Sequence, residues 1–123
     1  MGVHFNMCST LYKHKYVTKD FEQQVINREN HSSTAFGNYS IPHSLVFCSL
    51  KNTIFVLINE TPINWNNSYV NFVFLICVNK DEADSFRDLF SSICNIMQNE
   101  KIKQQLLKVK DFNDFIKTLT IYI

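Results

Sequence analysis

The sequence is poor in loop-forming residues and has no long apolar run. Only two glycines and two prolines occur among 123 residues, so sharp turns are few, and we find no repeat, low-complexity tract or internal linker. The longest apolar run, residues 72–78, is far below the ~18 residues that suggest a membrane span. The N-terminus also lacks the basic start and apolar core of a signal peptide. We therefore expect a cytoplasmic protein that does not contact a membrane.

Strong charge and clustered cysteines are missing as well. The formal net charge is +1, which argues against the basic field that non-specific nucleic-acid binding requires. The cysteines show no CxxC or Cys/His spacing and lie in apolar segments, which favours buried free thiols over disulfide bonds or a zinc site. These cysteines are Cys8, Cys48, Cys77 and Cys94.

The chain length fits one domain with a single core, spanning residues 1–123. Two N-terminal segments show apolar residues at helical spacing. The first covers residues 3–16. The second is expected to use Thr18 as its N-cap and to run to about Glu29, so the two segments predict a helical hairpin.

Three later runs are rich in β-branched and aromatic residues and predict strands at residues 45–48, 54–58 and 70–78. The first two are separated by so few residues that they predict an antiparallel hairpin. Residues 60–67 contain Pro62 and three asparagines and predict a loop. The third run is apolar along almost its whole length, as expected for a strand covered on both faces.

The C-terminal third predicts three helices. Asp81 is expected to cap the first, which carries one apolar stripe, and a short helical piece follows. Asp111 and Asp114 have the spacing of a capping box in front of the last helix. The complete order predicts an α/β fold in which helices flank a small mixed or antiparallel sheet. The apolar stripe consists of Phe86, Leu89, Phe90, Ile93 and Met97.

The chemically reactive side chains concentrate between residues 28 and 43. Pro42 restricts the backbone directly before His43, which gives the imidazole a defined direction, as a nucleophile needs. Arg28 has the geometry to neutralise a transferred phosphoryl group. Ser33 and Thr34 offer hydrogen-bond donors on a glycine-containing loop. From Pro42 and His43 alone, a histidine that merely begins a strand is the favoured interpretation; the neighbouring Arg28, Ser33 and Thr34 are what favour a phosphoryl-binding role.

Other assignments have less support. His4 and His14 have no partner at metal-ligand spacing, and His31 is placed to interact with the carbonyl groups at the end of the second helix. The sequence contains no phosphate-binding P-loop, HExxH or GxSxG motif. A hydrolase triad of Ser33, His43 and Asp81 is possible on paper, but no spacing supports it.

A family resemblance is carried by three pieces of sequence: Arg28-Glu29, residues 33–38 (STAFGN), and Ile41-Pro42-His43. Together they resemble the enzyme IIA domain of the mannitol/fructose class of the bacterial sugar phosphotransferase system, where the pattern is RE, sT, G and IAIPH. The similarity continues upstream and downstream, through residues 62–65 and the C-terminal helices. It therefore covers nearly the whole chain.

The resemblance implies the mannitol/fructose-type enzyme IIA fold and a role for His43 as phosphoryl acceptor. The donor would be the phosphohistidine of the carrier HPr, and in transport proteins the acceptor passes the group to an enzyme IIB. Arg28 would support the phosphoryl charge, with Ser33 and Thr34 as loop donors. An imidazole with a pKa near the unperturbed value of about 6.5 is mostly neutral and nucleophilic in the cytosol. No metal or organic cofactor is required.

Two departures from the family pattern refine this expectation. Ser85 occupies the position of a second histidine found in the transport enzymes, and Ser40 replaces the usual alanine. The chain in this respect resembles the enzyme IIA-like C-terminal domains of transcriptional activators and antiterminators, in which phosphorylation tunes a linked regulator. We also expect the chain to be a fragment of a larger protein, without the start of the first helix. A transport enzyme IIA and a degenerate domain that only binds partners are the alternatives.

Overall fold

In the computed structural model, four strands and five helices make up the part of the chain that is described, residues 2–44, 49–79, 81 and 83–122. The order is two helices, four strands and three helices: β3 and β4 correspond to the second and third predicted strands, whereas the short strands β1 and β2 were not predicted. The elements are α1 (Gly2–Lys13), α2 (Phe21–His31), β1 (Ala35–Phe36), β2 (Tyr39–Ser40), β3 (Thr53–Trp65), β4 (Ser68–Cys77), α3 (Ala83–Met97), α4 (Glu100–Leu106) and α5 (Phe112–Tyr122).

The sheet is mixed and has the strand order β1-β2-β4-β3. Strands β1 and β2 form an antiparallel hairpin, β2 runs parallel to β4, and β4 pairs antiparallel with β3. Strand β4 lies inside the sheet, and its residues from Phe72 to the end are buried. The structure thus confirms the predicted α/β class and the burial of the third apolar run on both faces.

Alternation along β4 divides the core into two halves, because successive side chains of a strand point to opposite faces. Val73 and Leu75 face α1 and α2, where they pack with Phe21 and Trp65. Phe74 and its face of the sheet pack against α3, α4 and α5. The stripe predicted on α3 contributes to this second half, and no described helix is long and apolar enough to cross a membrane.

The prediction of a loop at residues 60–67 is wrong, because strand β3 continues to Trp65. Two asparagines with left-handed backbone, Asn66 (φ 48°) and Asn67 (φ 69°), turn the chain directly into β4, which is the chemistry of a tight two-residue hairpin. Pro62 is tolerated because β3 lies at the edge of the sheet and its pairing shifts register between Ile58 and Ile63. The predicted strand at residues 45–48 lies outside the described residues.

Helix boundaries also differ from those expected. Helix α1 ends at Lys13, and Lys15 adopts a left-handed turn conformation (φ 62°). The N-cap position of α2 is Asp20, not Thr18, and the Asp20 side chain makes no capping bond. The capping interaction predicted at α5 is present, since Asp111 Oδ1 accepts a hydrogen bond from the Asp114 amide at 2.8 Å.

The cysteines for which the structure gives a position are free thiols. Cys8 and Cys77 are buried and Cys94 is partly buried, in agreement with the prediction, whereas Cys48 lies outside the described residues. Burial raises the pKa of Cys8 and of Cys77 to about 12. Both thiols therefore stay protonated and unreactive at neutral pH.

Candidate functional site

The β1–β2 hairpin directs the chain toward His43. Gly37 forms its turn with φ 57°, a left-handed conformation that costs other residues more than glycine. The backbone carbonyl of Asn38 accepts hydrogen bonds from the amides of Asn71 and Phe72 in β4, and its side-chain oxygen accepts one from Lys103 Nζ at 3.1 Å. At the other end, the Pro42 carbonyl accepts a bond from the Ile76 amide at 3.0 Å. The segment before His43 is thus fixed to the central strand at both ends.

The ring of His43 is held in one orientation. Its Nδ1 lies 3.0 Å from the carbonyl oxygen of Ile41, and because a carbonyl only accepts, Nδ1 carries the proton and donates it. Phe86 and Phe90 of α3 pack against the ring, with centroid distances of 5.0 and 6.2 Å. In this tautomer Nε2 carries the lone pair. The imidazole is therefore oriented as a nucleophile through Nε2.

The surroundings also favour the neutral ring. Burial is the largest influence and lowers the pKa of the His43 imidazole from its ordinary value of 6.5; the nearby charge of Arg28 lowers this pKa as well. The Ile41 carbonyl and the Glu29 carboxyl group raise the pKa, but they do not reverse the direction. His43 is consequently uncharged, and Nε2 unprotonated, at neutral pH.

Arg28 lies in the last turn of α2, directly before the loop that connects α2 to β1. Its Nη1 donates a hydrogen bond to the carbonyl oxygen of Ser32 at 2.8 Å, which caps a free carbonyl group at the helix end. Arg28 is partly buried as a residue, and its charge is close enough to His43 to influence the pKa of the imidazole. Arg28 is thus a cationic hydrogen-bond donor near the imidazole of His43.

Glu29 is the residue of this region to which the sequence assigned no role. Its carboxyl group is buried and accepts three hydrogen bonds: from the Thr34 amide (3.1 Å), from the Thr34 hydroxyl and from Trp65 Nε1 (3.2 Å). A signal was available, since Phe21, Val25 and Glu29 repeat every four residues and so share the buried face of α2. An acidic residue in that stripe indicates a buried polar network.

The loop donors expected at residues 33 and 34 occupy different positions. Thr34 is buried, and both its amide and its hydroxyl are directed to Glu29. Ser33 is half-buried, and its Oγ accepts a hydrogen bond from the Ala35 amide at 3.2 Å. Thr34 therefore fixes the loop through Glu29, whereas the Ser33 side chain only accepts a hydrogen bond from the neighbouring Ala35 amide.

The remaining candidates lie apart from this arrangement or are only partly described. Ser85 belongs to the first turn of α3, directly before Phe86, and its side chain is not described. His31 is the exposed last residue of α2, and His14 is exposed after α1. Asp81 is exposed, so no triad with Ser33 and His43 is assembled by the hydrogen bonds of the described residues. Those residues also contain no group of three metal-binding side chains.

The site thus consists of the neutral, oriented imidazole of His43 and the guanidinium group of Arg28 at the end of α2, next to a loop that the buried Glu29 carboxyl group fixes. Such a pair can accept an anionic electrophile, because Nε2 supplies the electrons and Arg28 supplies compensating charge.

Comparisons with known proteins identify the family of this chain. Residues 5–121 match the model of a family described as phosphoenolpyruvate-dependent sugar phosphotransferase system, EIIA 2. The chain is also similar to two proteins of Bacillus subtilis (strain 168). It is 25% identical to the transcriptional regulator ManR over 114 residues, which are 92% of this chain and 18% of that protein. It is 28% identical to the probable licABCH operon regulator over 101 residues, which are 80% of this chain and 16% of that protein.

Solved structures show the same fold. The crystal structure of IIA mannitol from Escherichia coli superposes with a TM-score of 0.74 at 18% identity, covering 90% of this chain and 82% of that one. The chain spans less than a fifth of the two regulators, 18% and 16% of their lengths. The fold and the family are therefore shown for this segment, independently of what the regulators do as whole proteins.

Proposed function

Since the chain belongs to the EIIA type 2 family of the phosphoenolpyruvate-dependent sugar phosphotransferase system, we propose that it is a regulatory phosphoryl-acceptor domain. Nε2 of His43 accepts the phosphoryl group from the phosphohistidine of HPr, and the phosphorylated state controls a transcriptional regulator of a sugar operon. The observation that carries the proposal is the hydrogen bond from His43 Nδ1 to the Ile41 carbonyl, which leaves Nε2 with a free electron pair.

The transfer is a direct displacement at phosphorus. The Nε2 lone pair forms a new N–P bond while the N–P bond to the donor histidine breaks, and the donor imidazole leaves with that electron pair. Such reactions depend mainly on positioning and charge stabilisation. Here Phe86 and Phe90 fix the ring, and Arg28 exchanges its bond with Ser32 for the oxygen atoms of the bound phosphoryl group.

One finding and one expectation support regulation over transport. The finding is that the chain is similar to two proteins that are named as regulators. The expectation, from the sequence pattern, is that Ser85 takes the position at which the transport enzymes of the family have a second histidine. A hydroxyl group has no lone pair of comparable basicity near neutral pH, so a partner enzyme IIB would meet an incomplete pair of imidazoles. We infer that the group accepted by His43 acts as a signal within a larger protein.

Incubation with phosphoenolpyruvate, enzyme I and HPr tests the proposal. We expect acid-labile phosphate on the wild-type protein and none on His43→Ala. His31→Ala is the matched control, since His31 is an exposed histidine at the end of α2, and it should be labelled like wild type. An unlabelled wild-type protein, or a labelled His43→Ala variant, contradicts the proposal.

The same preparation separates the two alternatives. Rapid transfer of the label from the domain to an enzyme IIB in a panel of such enzymes would establish a transport enzyme IIA instead of a regulator. Titration with HPr followed by NMR would reveal a degenerate partner-binding domain, because HPr would bind to the surface around His43 without any phosphorylation. The regulatory proposal expects labelling without efficient onward transfer.

A further inference from the structure

The outer edge of the sheet contains an apolar segment without the usual protection. Strand β3 ends the sheet, and among the described residues no strand pairs with its outer side. Residues 53–58 (TIFVLI) in its first half carry no charge; Ile54 is exposed and the other five are partly buried. A long apolar edge strand of this kind is a template for pairing with another strand.

The second half of β3 differs, because it has protective features. Glu60 and Pro62 are both exposed there, and the pairing shifts register between Ile58 and Ile63. Charge, proline and irregular pairing are the means by which proteins prevent edge-to-edge association. The chain therefore protects one half of this edge and leaves the other half free to pair.

Further apolar surface adjoins the unprotected half. Ile54 is 37% exposed, and from α5 Phe112 is 72% and Ile116 is 44% exposed. All three line one apolar cavity of about 340 Å³ between the sheet and α5. Large apolar side chains that cluster beside an open strand edge indicate an interface.

We propose that residues 53–58 pair with the same segment of a second copy of this chain, antiparallel and about a two-fold axis, so that the two sheets become one. An isologous contact needs a self-complementary surface, and residues 52–59 contain no charge, so the two copies bring no like charges together along the segment. Helix α5 of each copy then covers one face of the joint.

The flanking charges are complementary in this arrangement. When the two-fold axis passes through Phe55 or Val56, Lys51 of each copy lies within one residue of the position that faces Glu60 of the other copy. Lys51 Nζ lies over the ring of Tyr16 in the single chain, 5.3 Å from its centroid, and its side chain is exposed. Opposite charges at cross-strand positions favour this pairing, whereas a parallel arrangement would place like charges side by side.

The dimer is independent of the phosphoryl-acceptor site. In the order β1-β2-β4-β3 the edge formed by β3 lies on the opposite side of the sheet from the hairpin that leads to His43. The surface around the imidazole therefore stays open when two copies pair. Failure of one proposal leaves the other unaffected.

Light scattering after size-exclusion chromatography, over a dilution series, tests the dimer. We expect twice the 14.5 kDa mass of the single chain at high concentration and the single mass after dilution. Ile54→Lys should weaken association by at least about tenfold, or about 1.4 kcal/mol, because a charged side chain enters the apolar joint. Tyr69→Lys is the control: Tyr69 is an exposed aromatic side chain on β4 that lies opposite Asn64, outside residues 53–58, and its loss should leave the dimer intact.

Amide hydrogen exchange on the unmodified protein provides a second test that needs no variant. Some amides among residues 53–58 point away from β4, and these should exchange more slowly at high than at low protein concentration. Wild-type protein that is monomeric at every concentration overturns the proposal. So does a dimer that persists in an Ile54→Lys variant with a normal thermal unfolding transition, or exchange rates that do not depend on concentration.

Discussion

Replacing Glu29 by alanine should destabilise the protein strongly, because its buried carboxyl group holds three parts of the chain together. The bonds from the Thr34 amide and Trp65 Nε1 join the end of α2 to the β1 loop and to the end of β3. A buried donor left without its hydrogen-bond partner costs about 1–3 kcal/mol, so the Thr34 amide and Trp65 Nε1 together amount to about 2–6 kcal/mol. Removing the carboxyl group also removes its desolvation cost, which leaves an expected net loss of about 2–4 kcal/mol.

Urea denaturation measures this loss as a lower midpoint with an unchanged slope. Glu29→Gln keeps one acceptor oxygen and should lose about half as much. Asn30→Ala, which changes the exposed neighbouring residue, should stay within about 0.5 kcal/mol of wild type. If Glu29→Ala were as stable as Asn30→Ala, the network would not hold the loop, and the reasoning would be refuted.

Three further predictions concern other parts of the molecule. The folded protein lowers the pKa of His43 below 6.5. The neutral imidazole therefore contributes its full stabilisation above pH 6.5, and this stabilisation is lost as the pH falls through the folded-state pKa. Urea denaturation over a pH series should show this loss for the wild type and not for His43→Gln. Asn99→Ala removes the acceptor for two amides at the start of α4 and should cost about 1 kcal/mol, whereas Asn95→Ala on the exposed face of α3 should cost much less. Gly37→Ala meets no neighbouring atom within 4 Å but must adopt φ 57°, so thermal unfolding should show a loss of about 1 kcal/mol; an unchanged transition would contradict that.

Periodicity alone predicted most of the helices and the central strand, because these elements bury apolar side chains at regular spacing. The stripe on α3 and the continuous apolar run of β4 are both of this kind. The prediction failed at residues 60–67, where proline and asparagines indicated a loop. An edge strand accommodates Pro62 without losing a ladder bond, and Asn66 and Asn67 form the turn only at the far end of β3.

The sequence predicted the main residues of the site but not the contacts that orient them. Pro42 and the order of motifs singled out His43 and Arg28, but the tautomer depends on where the Ile41 carbonyl points, which follows from β2 pairing with β4. The link from Glu29 to Trp65 spans 36 positions and has no local sequence signal. Long-range partners such as these are determined by tertiary packing, so spacing along the chain does not reveal them.

The most direct test is to identify the nitrogen of His43 that carries the phosphoryl group after incubation with phosphorylated HPr, using phosphorus and nitrogen NMR of the labelled imidazole. The orientation fixed by the Ile41 carbonyl predicts a phosphoryl group on Nε2 and a retained proton on Nδ1. A phosphoryl group on Nδ1, or a His43 ring that remains unmodified while HPr is fully phosphorylated, would contradict the account.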